Sequence, residues 1–359
     1  MSELPRPLLL SPDNVTPPTR TPWGGTWIAR HKQRFGLPAR ATIGESWEVS
    51  VEPSFPSRAR DDGRLLAEHI AAAPAAWLGE AGAGRCGGRL PLLLKLLDAG
   101  DDLSLQVHPA ADDPRLGPDE SGKPEAWIIV AAAPGAGLYL GWRDGVARAE
   151  VQRCLDLGGP LDRLLNFVPV VEGEVYDVPA GTPHAIGKGV TVVEPQYVVP
   201  GRRGVTYRFW DWNRRYDAAG RSDPAGRPRE LHVARALEAT DWQAPTGDAL
   251  VAICRRLPRT LAIPSARQDD SSALRLQGLI QNPWFGAAGL QGSGDVELPA
   301  NGFRALLVLG GRLDLAGGTG ELRLNAGDSA AVPAAAGALR LRGQAVRAIL
   351  AWPWDGDGS

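Results

Sequence analysis

Gly173-Glu174-Val175-Tyr176-Asp177-Val178-Pro179-Ala180 returns later in the chain as Gly327-Asp328-Ser329-Ala330-Ala331-Val332-Pro333-Ala334. Both stretches read Gly-acid-x-x-x-Val-Pro-Ala, and such a recurrence exposes a duplicated architecture. In a β-barrel the pattern is a turn into a strand, a short strand, then a proline-marked corner. After the first copy the corner runs on through Gly181-Thr182-Pro183 to His184; the matching position after the second copy is Ala338. The second copy is thus expected to keep the fold without the histidine.

Upstream of His184 stands Leu103-Ser104-Leu105-Gln106-Val107-His108-Pro109, followed by Gly122-Lys123-Pro124-Glu125-Ala126-Trp127. Side chains alternate faces along a strand, so Gln106 and His108 point the same way. Two imidazoles, a carboxylate and an amide oxygen can hold a closed-shell divalent metal with room for a substrate oxygen. A lone histidine in a strand is more often a satisfied polar group. The Gln-x-His pair together with the Pro-Ala-Gly-x-x-His corner favours ligation. Glu125 read alone is a surface partner for Lys123, a pair worth little; Trp127 gives this segment a buried side and argues for an inward Glu125.

The 39 Lys plus Arg nearly balance the 41 Asp plus Glu, which gives no electrostatic reason to expect nucleic acid or a membrane surface as partner. Cys86, Cys154 and Cys254 are far apart, as reduced thiols of a cytoplasmic protein would be. The first residues lack the features of a signal peptide, and no apolar run reaches bilayer length. Residues 1–22 read as a proline-rich extended segment over the surface. Strands are expected at 42–51, 103–108, 126–132 and 136–142, and as short strands over 168–212, while 91–98 reads as a buried apolar run with one lysine inside it. Helices are expected at 65–78, capped by Asp61 or Asp62, and over 144–165 with a break at Gly158-Gly159-Pro160. Residues 202–229 hold many charges, glycines and prolines and end in a loop. From about residue 235, short strands alternate with glycine turns, as at Leu306 to Leu315 around Gly310-Gly311.

From Trp23 to Arg214, and more weakly to about residue 352, the chain resembles the class I, zinc-dependent mannose-6-phosphate isomerases in their shorter bacterial, cupin-type form. The resemblance is carried by Trp23-Gly24-Gly25, Gly44-Glu45-Ser46-Trp47-Glu48, Leu94-Lys95, the two stretches around His108 and Glu125, Pro179-Ala180-Gly181-Thr182-x-His184, and Tyr207-Arg208-x-x-Asp211-Trp212-x-Arg214. It implies a mainly β fold of two cupin (jelly-roll) barrels with helical insertions. The catalytic, metal-binding barrel would span 23–235, and a second, ligand-free barrel 236–359. It also implies one zinc ion on Gln106, His108, Glu125 and His184. Lys123, Glu194 and Arg208 would be catalytic, with Trp23, Glu45, Lys95 and Ser104 lining the substrate pocket. This chain departs from the family in Ala126, where many members have methionine, and in Glu194-Pro195-Gln196-Tyr197.

The activity so implied is interconversion of mannose 6-phosphate and fructose 6-phosphate through an enediol. It needs an electrophile on the carbonyl and hydroxyl oxygens and a base at the C1/C2 proton. Glu194, Lys123 or a metal-bound hydroxide fills the second role; the residues leave all three open. Arg208 suits a phosphate or a developing enediolate through its planar fork. Two other functions fit the same residues: an isomerase of unphosphorylated mannose and fructose, and a non-catalytic sugar-sensing cupin. A pure binder needs neither Lys123 nor Arg208 beside its metal. A small sugar substrate is the expected partner, with no nucleic acid, membrane or obligate protein. Lys95 reads equally as a pocket or a snorkelling surface residue, and Glu194 as a pocket or solvent-facing strand residue. His31, His69 and His232 read as structural or surface.

Overall fold

The computed structural model describes residues 4–260, 273–300 and 302–353. In chain order its first strands are β1 (Leu8–Leu9), β2 (Glu45–Val49), β3 (Leu92–Asp98), β4 (Leu105–Val107), β5 (Glu120–Ser121), β6 (Glu125–Ala132) and β7 (Gly137–Trp142). Next come β8 (Leu165–Pro169), β9 (Val175–Val178), β10 (His184–Ile186), β11 (Val190–Tyr197), β12 (Arg203–Gly204), β13 (Tyr207–Trp210), β14 (Arg255–Arg256) and β15 (Arg259–Thr260). The last are β16 (Arg275–Gln281), β17 (Phe285–Leu298), β18 (Arg304–Gly317), β19 (Gly320–Asn325), β20 (Ser329–Val332) and β21 (Leu339–Pro353).

Three sheets stack. The order β13-β4-β10-β7-β8 forms one wall of a barrel, and β14-β9-β6-β11-β3-β2 forms the other. The third sheet runs β1-β20-β18-β21-β17-β16-β15, with β19 on β18. Strand β3 shows why its sequence is nearly all leucine. Leu92, Leu94 and Leu96 pack into a core shared with Leu307, Leu309 and Ile349 of the third sheet. Leu93, Lys95 and Leu97 face the barrel cavity. A strand buried on both faces needs apolar residues at both parities. The third sheet has its own interior as well, with Leu306, Val308, Leu313, Leu341 and Leu350. The fold is therefore mainly β and cupin-like, as expected.

The repeat has one physical role in both copies. The Glu174 carboxylate accepts the Val171 N–H at 3.0 Å, and the Asp328 carboxylate accepts the Asn325 N–H at 2.8 Å. Each acid thus closes the turn that feeds its strand. Asp328 also draws Arg60 at 2.8 Å, and Arg34, across from the first barrel. Ala338, the counterpart of His184, is an exposed methyl.

Several expectations give way. The first part of the N-terminal segment is not laid over the surface: β1 joins the third sheet with Leu8 opposite Ala331, and Leu8 and Leu10 are buried, while Pro17 to Arg20 are exposed. The helix expected at 65–78 is split into α1 (Leu66–Ala72) and α2 (Pro74–Leu78), because Pro74 cannot continue a helical ladder. Its N-terminus is held by Glu68, which accepts the Leu65 N–H at 3.0 Å, rather than by Asp61 or Asp62. The long helix expected over 144–165 is α3 (Arg148–Asp156), and the chain is already β from Leu165. Beyond residue 235 the strands are long, not short. Gly310-Gly311 is a bulge inside the 14-residue β18, where Gly311 at φ +67° lets the strand shift register without ending. Two helices also lie there, α4 (Val233–Ala239) and α5 (Gly247–Cys254). Their residues Ala236, Leu237, Leu250 and Cys254 pack on the first barrel, and β14 extends its second wall. The expected division after residue 235 thus falls inside α4. The end of the expected second unit, 354–359, lies outside the described residues, as do residues 1–3 of the expected N-terminal segment. No helix among the described residues is long and apolar enough to cross a membrane.

Lys32 and Glu48 form an ion pair at 2.7 Å, each side chain about 1% exposed. Glu48→Gln leaves the ammonium buried without its counter-charge, and the expected cost is about 3–5 kcal/mol of unfolding free energy by urea titration. The double replacement Lys32→Met/Glu48→Met is expected to recover most of it.

Candidate metal centre and active site

Two rows of cross-strand neighbours face each other across the first barrel. On one wall, His184 of β10, Gln106 of β4 and Arg208 of β13 lie in register. On the other, Trp47 of β2, Lys95 of β3 and Glu194 of β11 lie in register, with Gln196 opposite Glu125 one step along. The period of two places these polar side chains inward while their neighbours enter apolar cores. Between the walls is a cavity of about 710 Å³. Trp23, Glu45, Lys95, Ser104, Gln106, Lys123, Glu194 and Arg208 all line it.

His108, Glu125 and His184 meet at its inner end, each 3% exposed or less. One donor atom from each lies within 4.8 Å of the other two. The His108 ring donates Nδ1–H to the Val205 carbonyl at 3.0 Å, and the His184 ring donates Nδ1–H to the Thr182 carbonyl at 2.8 Å. A carbonyl only accepts, so in each neutral ring Nε2 keeps a lone pair. These Nε2 atoms stand 3.4 and 3.2 Å from the Glu125 oxygens and have no hydrogen-bond partner. Burial, with the charge of Lys123, pushes the His108 pKa down to about 3, so the short His108–Glu125 distance is not an ion pair at neutral pH. Lone pairs and a carboxylate thus converge without a proton between them. This donor set fits a divalent cation. The backbone fixes the geometry, since the Gly181 N–H donates to the His108 carbonyl at 2.9 Å and ties the two histidine segments together.

Surrounding groups set the charges. Glu125 accepts the Gln196 amide at 2.7 Å and lies 3.3 Å from the Lys123 ammonium. Burial opposes its ionisation, yet the Lys123 ammonium holds it well below the usual carboxylate range. Glu194 accepts Trp127 Nε1–H at 3.0 Å and the Lys95 ammonium at 3.3 Å. Burial, then the Glu125 charge, raises its pKa. Burial pulls Lys95 down, but Glu194, Glu45 and Glu125 outweigh it and keep its pKa above the ordinary value. Arg208 donates Nε–H to Ser104 Oγ at 3.0 Å and an Nη to the Glu230 carbonyl at 2.7 Å. Trp47 donates its indole N–H to Glu45 at 2.8 Å.

All eleven residues picked out from sequence therefore gather at one place. Lys95 and Glu194 are buried in the cavity wall rather than exposed. Sequence reasoning passed over Gln196, which orients Glu125, although its position two after Glu194 on one strand face was a usable signal. It also passed over Arg20, Glu52 and Arg229, and read His232 as structural or surface; all four line the cavity from segments distant in sequence. Nothing local marks these four. Arg229 arrives because buried Asp211 holds it by two bonds of 2.7 Å and Arg214 by a third of 2.6 Å.

Fold and site together define a cupin-like protein with a His-Glu-His cluster able to hold a metal under a polar cavity. The family model of the phosphomannose isomerase type I catalytic domain matches residues 19–139. A mannose-6-phosphate isomerase of Streptococcus mutans is 28% identical over 345 residues, 93% of this chain and 92% of that one. A putative mannose-6-phosphate isomerase of Bacillus subtilis is 35% identical over 228 residues, 60% of this chain and 64% of its own. The crystal structure of the mannose 6-phosphate isomerase from Bacillus subtilis superposes with a TM-score of 0.74 at 26% identity, covering 97% of this chain and 99% of that one. The chain is thus similar to type I phosphomannose isomerases in sequence over residues 19–139, and to mannose-6-phosphate isomerases over nearly its whole length.

Two buried histidines set a pH dependence of the metal-free protein. His108 is lowered to about 3, and His31 to about 4 chiefly by burial, against about 6.5 in the unfolded chain. The unfolded state therefore binds protons that the folded state refuses, and stability falls as pH drops from about 6.5 toward 4. The expected slope is about 1.4 kcal/mol per pH unit for each histidine, read from urea midpoints. His31→Gln is expected to remove about half of it.

Proposed function

We propose that this protein interconverts mannose 6-phosphate and fructose 6-phosphate, using one zinc ion held by Gln106, His108, Glu125 and His184. The observation that carries this reading is the set of unpartnered, buried donors His108 Nε2, His184 Nε2 and Glu125 Oε1 at the inner end of a cation-rich cavity. Mixed imidazole and carboxylate donors suit zinc, and a neutral amide oxygen from Gln106 leaves such a site net positive. When bound, the ion supplies Lewis-acid polarisation of the sugar's carbonyl and hydroxyl oxygens.

The chain's own groups do the rest. Glu194, raised by burial and gripped by Trp127 and Lys95, takes the proton from one carbon of the C1–C2 pair and returns it to the other. A carboxylate tuned toward neutrality serves both directions. Lys123 and Arg208 stabilise negative charge on the substrate oxygens from opposite walls. Gln196 fixes the Glu125 carboxylate. Trp23 and Ser104 shape the pocket and, through Ser104 Oγ, the position of the Arg208 guanidinium. The third sheet acts as a support whose core backs the β3–β6–β11 wall. The cation-lined cavity favours the phosphorylated sugar over free mannose.

A coupled assay with mannose 6-phosphate and mannose side by side tests this reading. Turnover of the phosphate ester is expected, abolished by chelator and restored by zinc; no turnover of either sugar would sink it. Glu194→Gln is expected to lower kcat by about 10²–10⁴-fold with zinc content unchanged. Gln196→Leu is expected to weaken zinc binding about 10–100-fold in a competition titration with a chromogenic chelator.

A further inference from the structure

We infer that Arg20 is the residue that captures the phosphate end of the substrate, a specificity contact supplied by the N-terminal arm. This rests on the sugar-phosphate reading above and extends it to a residue outside every motif that marks the site.

The cavity's other cations are already engaged. Lys95 is bound to Glu194 and Lys123 to Glu125. Arg229 spends its fork on Asp211, and Arg203 pairs with Glu120. Arg208 donates to Ser104 and to the Glu230 carbonyl. Among the described residues lining the cavity, Arg20 is the cation with no carboxylate, hydroxyl or carbonyl acceptor on its side chain. Glu52 shares the space, yet forms no ion pair with it among the described residues.

Arg20 is nonetheless held in place. Its guanidinium carbon lies 4.9 Å from the Phe55 ring centroid and 5.6 Å from that of Trp47. Stacking on aromatic faces orients a guanidinium and leaves its in-plane N–H donors free. The platform is itself rigid, because Trp47 is tied to Glu45 through its indole N–H. The backbone is fixed too. The Arg20 and Thr21 N–H groups both donate to the Pro17 carbonyl, and Thr21 Oγ1 meets buried Thr16 Oγ1 at 2.7 Å.

The position fits the distal end of a sugar phosphate. From His184 the contacts run through Trp127, Glu194 and Lys95 to Trp47, with Arg20 beyond. Chemistry at C1 and C2 belongs beside the histidines, so the C6 phosphate belongs at the far side of the cavity. A planar fork with free donors there matches a phosphate dianion.

Titration calorimetry with sorbitol 6-phosphate, a hexitol ester that cannot isomerise, tests this without turnover, with sorbitol as control. Arg20→Ala is expected to weaken sorbitol 6-phosphate binding about 10- to 100-fold and leave sorbitol binding as it was. Its loss in kcat/KM for mannose 6-phosphate should appear mainly in KM. Arg20→Lys, which keeps the charge without the planar fork, should recover part of the affinity. Unchanged binding of the ester by Arg20→Ala, or an equal loss for sorbitol, would overturn the inference. So would a wild-type protein that does not bind the ester. If the wild type binds the ester through Arg20 but never isomerises mannose 6-phosphate, the function reading falls and this contact stands. If it isomerises and Arg20→Ala behaves as wild type, the reverse holds.

Discussion

Glu125 carries a full negative charge at about 1% exposure, and much of the first barrel is arranged around it. A carboxylate taken out of water needs compensation by charge or hydrogen bonds. Lys123, just ahead of β6, and Gln196 on β11 supply part of it. The two imidazoles do not, because their N–H groups are committed to the Val205 and Thr182 carbonyls. What remains is an arrangement of acceptors that a divalent cation would satisfy. The same negative charge then acts at a distance, raising the pKa of Glu194 and, with Glu194 and Glu45, holding Lys95 protonated.

That electrostatic pattern depends on a wall that does not yield. Strands β3, β6 and β11 present Lys95, Glu125 and Glu194 on one face and leucine, valine and alanine on the other. The third sheet covers the second face. Because interiors are close-packed, a wall buried on both sides holds its inward side chains in fixed rotamers. The second copy of the repeat thus keeps the turn acid, the strand and the proline corner while its histidine position is an exposed alanine. It preserves what makes a barrel without the histidine. Asp328, drawing Arg34 and Arg60 from the first barrel, adds charge to a contact that is otherwise apolar.

The parts of the site legible in sequence were those built by local periodicity. Gln106 and His108 share a strand face because they are two apart, and the corner before His184 is marked by proline and glycine. Lys95 and Glu194 were ambiguous, since an isolated strand does not say which face meets the solvent. The third sheet resolves this by covering the alternate parity. Helices α4 and α5 escaped notice because a stretch such as Ala249-Leu250-Val251-Ala252-Ile253-Cys254 is a short apolar run, equally good as strand or helix. Gly310-Gly311 looked like a turn because turns and bulges draw on the same backbone freedom.

Sequence by itself determined the duplicated β pattern, the Gln-x-His, Glu and His donors, and the family they resemble, because each rests on spacings within one strand or one corner. Only the tertiary structure decided which neutral tautomer the histidines adopt, which cations already have acceptors, and that Arg20 reaches the cavity on an aromatic platform. Those facts depend on carbonyls, carboxylates and rings brought together from distant segments. No local spacing encodes such a meeting; the packing of three sheets does.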